Sequence, residues 1–263
     1  MYYLGIDIGS LSCDAVVIDD DGRIVSSSVV PTGARNIEAI ARARAEATRA
    51  AGIEHGALKA VVATGYGRDR VDDRLASVTE ITCHARGIGK LLPGTRLLID
   101  IGGQDSKAIL LDRDGLVVEF AMNDKCAAGT GRFLEAMARA LEVDIDRLGA
   151  LGRGAKGGVT LSSMCTVFAE SEVVSLIADG AEVREIVAAL HRAIAARTVT
   201  LVRRVTSDVS GLRVAMSGGV ARNSGVVDAL KEALGCNVDV PPEPDIVGAL
   251  GAALFAKDRA GNG

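Results

Sequence analysis

The chain has 263 residues, 48% of them apolar, and a formal net charge of −4 from 30 basic and 34 acidic residues. That is enough apolar material for one large or two modest cored domains. The near-balanced charge, with no Trp, three Tyr and four Phe, excludes the basic, aromatic-studded surface of a nucleic-acid-binding protein.

No apolar run reaches the ~18 residues of a membrane span, and Met1 to Asp7 lacks a basic leader region. The expectation is a cytoplasmic protein whose five cysteines, at 13, 83, 126, 165 and 236, are reduced rather than a disulfide framework.

Residues 2–8, 14–20 and 23–30 predict three strands, the first two joined by Gly9-Ser10-Leu11-Ser12 and the last two by the acidic turn Asp19 to Gly22. A helix from Asn36, its expected cap, to Ala51 follows, then a buried strand, Leu58 to Thr64, and the loop Gly65-Tyr66-Gly67. Cys83 and His84, at a helix start, read as core or polar contacts. The three-strand layout then restarts at 96–101, 106–111 and 116–122, with Asp112 to Gly115 in the place of the earlier acidic turn. Helices at about 130–142, 166–178 and 182–206, a strand at 213–217, and helices at 223–234 and 246–257 complete the pattern. Asp245 is the expected cap of the last helix, and Gly248 and Gly251 allow it to pack closely against the nucleotide region. His191 and the arginines of the long helix read as ordinary solvated positions. The chain is therefore expected to be α/β and duplicated, with a first lobe at 1–94 and a second at 95–263, whose last helix can pack back on the first.

Three glycine-rich turns after strands give this duplication a chemical meaning. In the first, an apolar strand delivers Asp7 to its end, Gly9 turns the chain, and Ser10, Leu11 and Ser12 offer hydroxyls and backbone N–H groups to phosphate oxygens. The second repeats the device with Asp100, Gly102, Gly103 and Gln104. Two such hairpins suit β- and γ-phosphates, with Asp7 and Asp100 reaching a Mg2+ ion and Gln104 orienting a water. The third, Gly218-Gly219-Val220 at a helix start, suits the nucleoside and α-phosphate.

Cys126 and Cys165 stand in two matching stretches, Asp124 to Gly131 and Ser162 to Val167, each running into a helix pattern. Zinc sites favour four ligands at short spacings, whereas a thiolate-bound iron–sulfur cluster takes four cysteines that two copies of a chain can share. Helix starts at about Gly129 and Thr166 would turn their free N–H groups toward an anionic cluster.

Asp7-x-Gly9-Ser10-x-Ser12, Asp100-x-Gly102-Gly103 and Ser217-Gly218-Gly219 resemble the phosphate and adenosine loops of the actin, acetate and sugar kinase superfamily. The stretches Val62 to Arg68, Thr79 to Ala85, Asp100 to Lys107, Asn123 to Arg132 and Ser217 to Asn223 are more specifically similar to the activator ATPases of 2-hydroxyacyl-CoA dehydratases. The resemblance implies a duplicated actin-like, ribonuclease-H-like fold, two α/β lobes around a nucleotide cleft that binds ATP or ADP. It further implies a homodimer sharing one [4Fe-4S] cluster through Cys126 and Cys165. ATP hydrolysis would then drive one electron, received from a ferredoxin or flavodoxin, into a dehydratase or a related iron–sulfur reductase. The same family includes electron donors to benzoyl-CoA reductase and to double-cubane proteins. A small-molecule kinase of the same fold, or a cluster-binding redox sensor, is the alternative reading of the residues.

Overall fold

The computed structural model describes residues 1–162 and 165–261. Ser163 and Met164 of the second cysteine stretch lie outside the described residues. The first sheet combines β1 (Tyr2–Ile8), β2 (Ser12–Ile18), β3 (Ile24–Pro31), β4 (Leu58–Gly65) and β5 (Ala76–Ser77) in the order β3-β2-β1-β4-β5. The second combines β6 (Leu97–Ile101), β7 (Ser106–Leu111), β8 (Val117–Asn123), β9 (Val214–Ser217) and β10 (Val238–Asp239) in the order β10-β9-β6-β7-β8. Read from its other edge, the second order reproduces the first. In both sheets the central strand is antiparallel to the hairpin partner that follows it and parallel to the strand on its other side. The duplication expected from two strand triplets is thus a duplication of topology.

The helices are α1 (Asn36–Ala50), α2 (Glu80–Leu91), α3 (Gly131–Ala140), α4 (Ile145–Leu151), α5 (Thr166–Ala178), α6 (Val183–Val202), α7 (Ser224–Leu234) and α8 (Val247–Gly261). None of the described helices is long and apolar enough to cross a membrane. The chain divides into two units. Unit 1 comprises Met1–Arg96, Leu111–Val118 and the segment from Pro241; unit 2 comprises Leu97–Leu110 and Glu119–Val240.

In unit 1, strand alternation sorts side chains between two helical layers. Leu4, Ile6 and Ile8 of β1, with Cys13, Ala15 and Val17 of β2, pack on Ala39, Ile40, Ala43 and Ala47 of α1. Tyr3 of β1 and Val16 and Ile18 of β2 face α8. Gly5 shares that face, and a Cβ there would overlap the Ala249 carbonyl, so the helix rests directly on the sheet. Asp7 and Asp14 continue the same alternation on the α8 face. In unit 2, Leu97, Ile99 and Ile101 enter the core built around Phe133 and Met137 of α3 and Ile186, Leu190 and Ile194 of α6. Asp100, between two of those residues, therefore points to the opposite face.

Some local expectations differ from the structure. Arg35 occupies the cap position of α1 and Asn36 is its first residue; α2 instead carries a side-chain cap, Thr79 accepting from the Thr82 N–H at 3.3 Å. Asp245 lies inside a 3-10 turn, Pro244–Ile246, that precedes α8. Gly251 packs on the Cys83 backbone of α2 rather than beside a nucleotide turn. His191 is buried, because Gly225 and Gly152 leave room for its ring and nothing more.

Candidate functional site

The two hairpins close in the same way. Gly9 N–H donates to Ser12 O at 2.9 Å, and Gly102 N–H donates to Asp105 O at 3.0 Å. Each turn is then braced by a threonine hydroxyl from outside it, Thr32 Oγ1 donating to Gly9 O and Thr130 Oγ1 to Gly103 O, both at 2.9 Å.

In unit 1, Asp7 is buried where β1 ends. A Cβ on Gly65 or on Gly248 would overlap its carboxylate oxygens, so glycine at both positions makes the cradle that admits the side chain. Gly65 also has φ of 82°, a left-handed value that disfavours other residues. The Ser12 hydroxyl donates to Asp14 Oδ2 at 3.1 Å, so its proton is committed to Asp14 instead of to a phosphate. Burial holds the Asp14 carboxyl well above the usual carboxylate range, and the charges of Asp7 and Asp245 push the same way. His84 Nδ1 lies 2.9 Å from Glu80 O, which makes Nδ1 the protonated nitrogen.

In unit 2, Asp100 is the hub of a buried polar cluster. Its Oδ1 accepts from Ser217 Oγ at 2.7 Å and its Oδ2 from Lys107 Nζ at 3.1 Å. Lys107 also pairs with Asp105 Oδ2 at 2.6 Å. Gly218, with φ of 83°, presses on the Ile101 carbonyl. The second and third glycine-rich turns are thereby one site, knit through Asp100. Sequence reasoning missed Lys107 as a member. The available signal was its place directly opposite Asp100 in the β6–β7 ladder. Gln104 is exposed at the hairpin tip. Val220 buries its side chain in the unit 2 core, which leaves only its backbone to meet a nucleotide. Asn223 caps α7 by accepting from Val226 N–H at 3.1 Å, and its buried Nδ2 has no partner.

The cysteine stretches lie in the same unit. Cys126 is half-buried and Cys165 exposed, both as free thiols. Cys165 is the cap residue of α5. Helix α3 begins slightly later than expected, and its first amides are taken up within the protein: Gly131 N–H donates to Gly102 O and Arg132 N–H to Gly103 O, each at 2.9 Å. The reason is that the second hairpin offers unsatisfied carbonyls at the helix N-terminus, where unsatisfied donors collect. The Thr130 hydroxyl shares its one proton between Gly103 O and Ala127 O, the latter 2.6 Å away, and Asn123 Nδ2 donates to Cys126 O at 2.9 Å. Hydrogen bonds therefore run from the phosphate-type hairpin through Thr130 to Ala127, the chain neighbour of Cys126.

The BadF/BadG/BcrA/BcrD ATPase family model matches residues 4–256. The activator of lactoyl-CoA dehydratase from Anaerotignum propionicum is 46% identical over 99% of both chains. The solved activator of the 2-hydroxyisocaproyl-CoA dehydratase from Clostridium difficile, with bound ADPNP, is 43% identical with a TM-score of 0.93 over 100% of this chain and 96% of its own. Component A of the Acidaminococcus fermentans (R)-2-hydroxyglutaryl-CoA dehydratase is 41% identical with a TM-score of 0.94 over 99% of both chains. The actin-like fold expected from the glycine turns is borne out by these likenesses.

Proposed function

The chain belongs to the BadF/BadG/BcrA/BcrD ATPase family, and from that premise we propose that it is the ATP-hydrolysing activator of a 2-hydroxyacyl-CoA dehydratase, to which it delivers one low-potential electron. The observation that carries this reading is the set of hydrogen bonds in unit 2 from Gly102 and Gly103 through Thr130 to Ala127, the chain neighbour of Cys126. A phosphate drawing on the hairpin's backbone N–H groups would shift the same peptide units whose carbonyls hold the first turn of α3. The hairpin, the helix start and the Cys126 loop then move together instead of absorbing the shift separately.

Within the hairpins, backbone N–H groups of Gly9 to Ser12 and of Gly102 and Gly103 receive phosphate oxygens, while Gly218, Gly219 and the Val220 backbone receive the nucleoside end. Asp7 and Asp100 offer carboxylates to Mg2+. Both Asp100 oxygens already accept hydrogen bonds, so Asp100 would hold a Mg2+ ion through water, and the ion would supply positive charge to the phosphates. Lys107 pairs with that carboxylate at 3.1 Å. Gln104, exposed at the tip, orients the attacking water.

Cys126 and Cys165 suit a shared metal group: they are free, lie outside the apolar clusters, and introduce α3 and α5. Among the described residues no three Cys, His, Asp or Glu side chains close a metal site. Bound there, a [4Fe-4S] cluster would take one electron from a ferredoxin or flavodoxin and offer it to the partner enzyme. Helix α5 leaves Val167, Phe168, Val174 and Ile177 exposed directly after Cys165, an apolar surface that a homodimer would bury.

The test is anaerobic iron and acid-labile sulfide analysis with native mass on wild type, Cys126→Ala and Cys165→Ala. The expected result is one cubane per two chains, absent from either variant, with nucleotide binding retained. An iron-free wild type would leave the small-molecule kinase as the better account.

A further inference from the structure

The arginines of α6 and of the turn after it are not equivalent. Arg184 pairs with Glu182 at 2.6 Å, and Arg192 donates to the Val159 carbonyl at 2.8 Å. Arg197 and Arg204 make no ion pair or side-chain hydrogen bond among the described residues. Both line a cavity of about 500 Å3 within unit 2, and Arg197 is half-buried there. Positions 193, 196, 197, 200, 201 and 204 all border the cavity. Their spacing of three and four makes one stripe of α6, prolonged by the following turn, its wall.

The other wall comes from the second sheet, on the face away from Asp100. Ser106 stands across from Ile101 in the β6–β7 ladder, and directly paired residues share a face. Ile101 enters the core, so Ser106 points to the same side, into the cavity. Ser106 is 7% exposed, and its hydroxyl has no hydrogen-bond partner among the described residues. Leu161 and Leu201 add apolar surface, and Asn123 closes the lining where its Nδ2 donates to Cys126 O.

These side chains ask for a ligand of two characters. A guanidinium is always charged and suits the paired oxygens of a carboxylate or phosphate. A polar hydroxyl left buried without a partner costs free energy that a ligand oxygen can recover. The leucines call for a hydrocarbon, and the volume falls within the about 300–1,000 Å3 of small-molecule sites. A bare inorganic anion would leave the leucines unmatched; a neutral hydrocarbon would leave the arginines and Ser106 unmatched. We infer that this cavity binds an organic anion, a carboxylate or phosphate carried on a hydrocarbon body, at a place separate from the nucleotide turns. Arg197 and Arg204 receive the charge, Leu161 and Leu201 pack on the body, and the Ser106 hydroxyl meets a polar atom of the ligand.

The test is titration calorimetry on the full nucleotide-free chain with octanoate, octyl phosphate, 1-octanol and inorganic phosphate. Octanoate or octyl phosphate should bind at one per chain, the tighter of the two identifying the head group. The alcohol and inorganic phosphate should bind at least tenfold more weakly. Arg197→Met combined with Arg204→Met should weaken the tighter probe at least tenfold. Ser106→Ala should weaken it several-fold, which decides the matter if the double variant does not fold. An ATP analogue should leave the probe bound. Absence of saturable binding, an affinity unchanged in these variants, equal binding of the alcohol or inorganic phosphate, or displacement by the ATP analogue would overturn the inference. Neither iron content nor ATP turnover enters the measurement, so it stands or falls separately from the activator reading.

Discussion

Replacing Lys107 with methionine tests the claim that unit 2 carries its own counter-charge. Lys107 is 2% exposed, and its ammonium lies 3.1 Å from Asp100 and 2.6 Å from Asp105. At an effective dielectric constant of about 20 those separations correspond to gross attractions of roughly 5 and 6 kcal/mol. Desolvation of three buried charges cancels most of that sum. Removing the ammonium, however, takes the counter-charge from two buried carboxylates, and that costs about 3–5 kcal/mol. Calorimetry should show a fall in melting temperature of roughly 10 °C, taking about 2–4 °C per kcal/mol for a chain of this size. ATP turnover should fall with it, since Asp100 would lose the ammonium that holds its Oδ2 in place. Adding Asp105→Asn to Lys107→Met should recover part of the loss, because one of the two stranded charges is gone. A loss below about 1 kcal/mol in the single variant, or no recovery in the double, would refute the claim that the lysine neutralises these carboxylates.

Thr130→Val removes the hydroxyl that reaches both Gly103 O and Ala127 O; it should cost about 1–2 kcal/mol, and alkylation of Cys126 should lose its response to an ATP analogue. An unchanged response would mean that the hairpin does not signal through this residue. Gly218→Ala forces a Cβ onto the Ile101 carbonyl at φ of 83°; nucleotide affinity measured by calorimetry should collapse, and a wild-type affinity would show that the third turn is not part of the site. Burial pushes the His191 imidazole down to about 4, below its unfolded value near 6.5. The unfolded chain therefore takes up the proton first. Stability should be constant above pH ~6.5, fall by roughly 3 kcal/mol as pH drops toward 4, and then level off. Denaturant titrations that show the same slope in His191→Gln would assign the pH dependence to other groups.

The hairpins were legible in the sequence because each is a local statement: an apolar run, a terminal Asp and a glycine that turns the chain, stated twice. The same holds for Cys165 at the start of α5. What escaped depends on long-range register. Lys107 gains its meaning from Asp100 across the ladder, and His191 from glycines at 152 and 225 that come together only in the fold. Helix α4 is seven residues long and its Asp144 cap makes no side-chain bond, so neither periodicity nor capping announced it. The first amides of α3 were expected to face the cysteine ligands, but a competing set of carbonyls on the second hairpin was nearer.

Helix α8 has a consequence for how the molecule is made. Unit 2 is nearly continuous in the chain, whereas the first sheet receives the helix that covers one of its faces only after residue 247. During synthesis Tyr3, Val16 and Ile18 await that cover while the whole of the second sheet emerges. The later part of the chain can thus complete its core first, leaving the earliest strands as the last to be shielded and the most exposed to chaperones and proteases in the meantime.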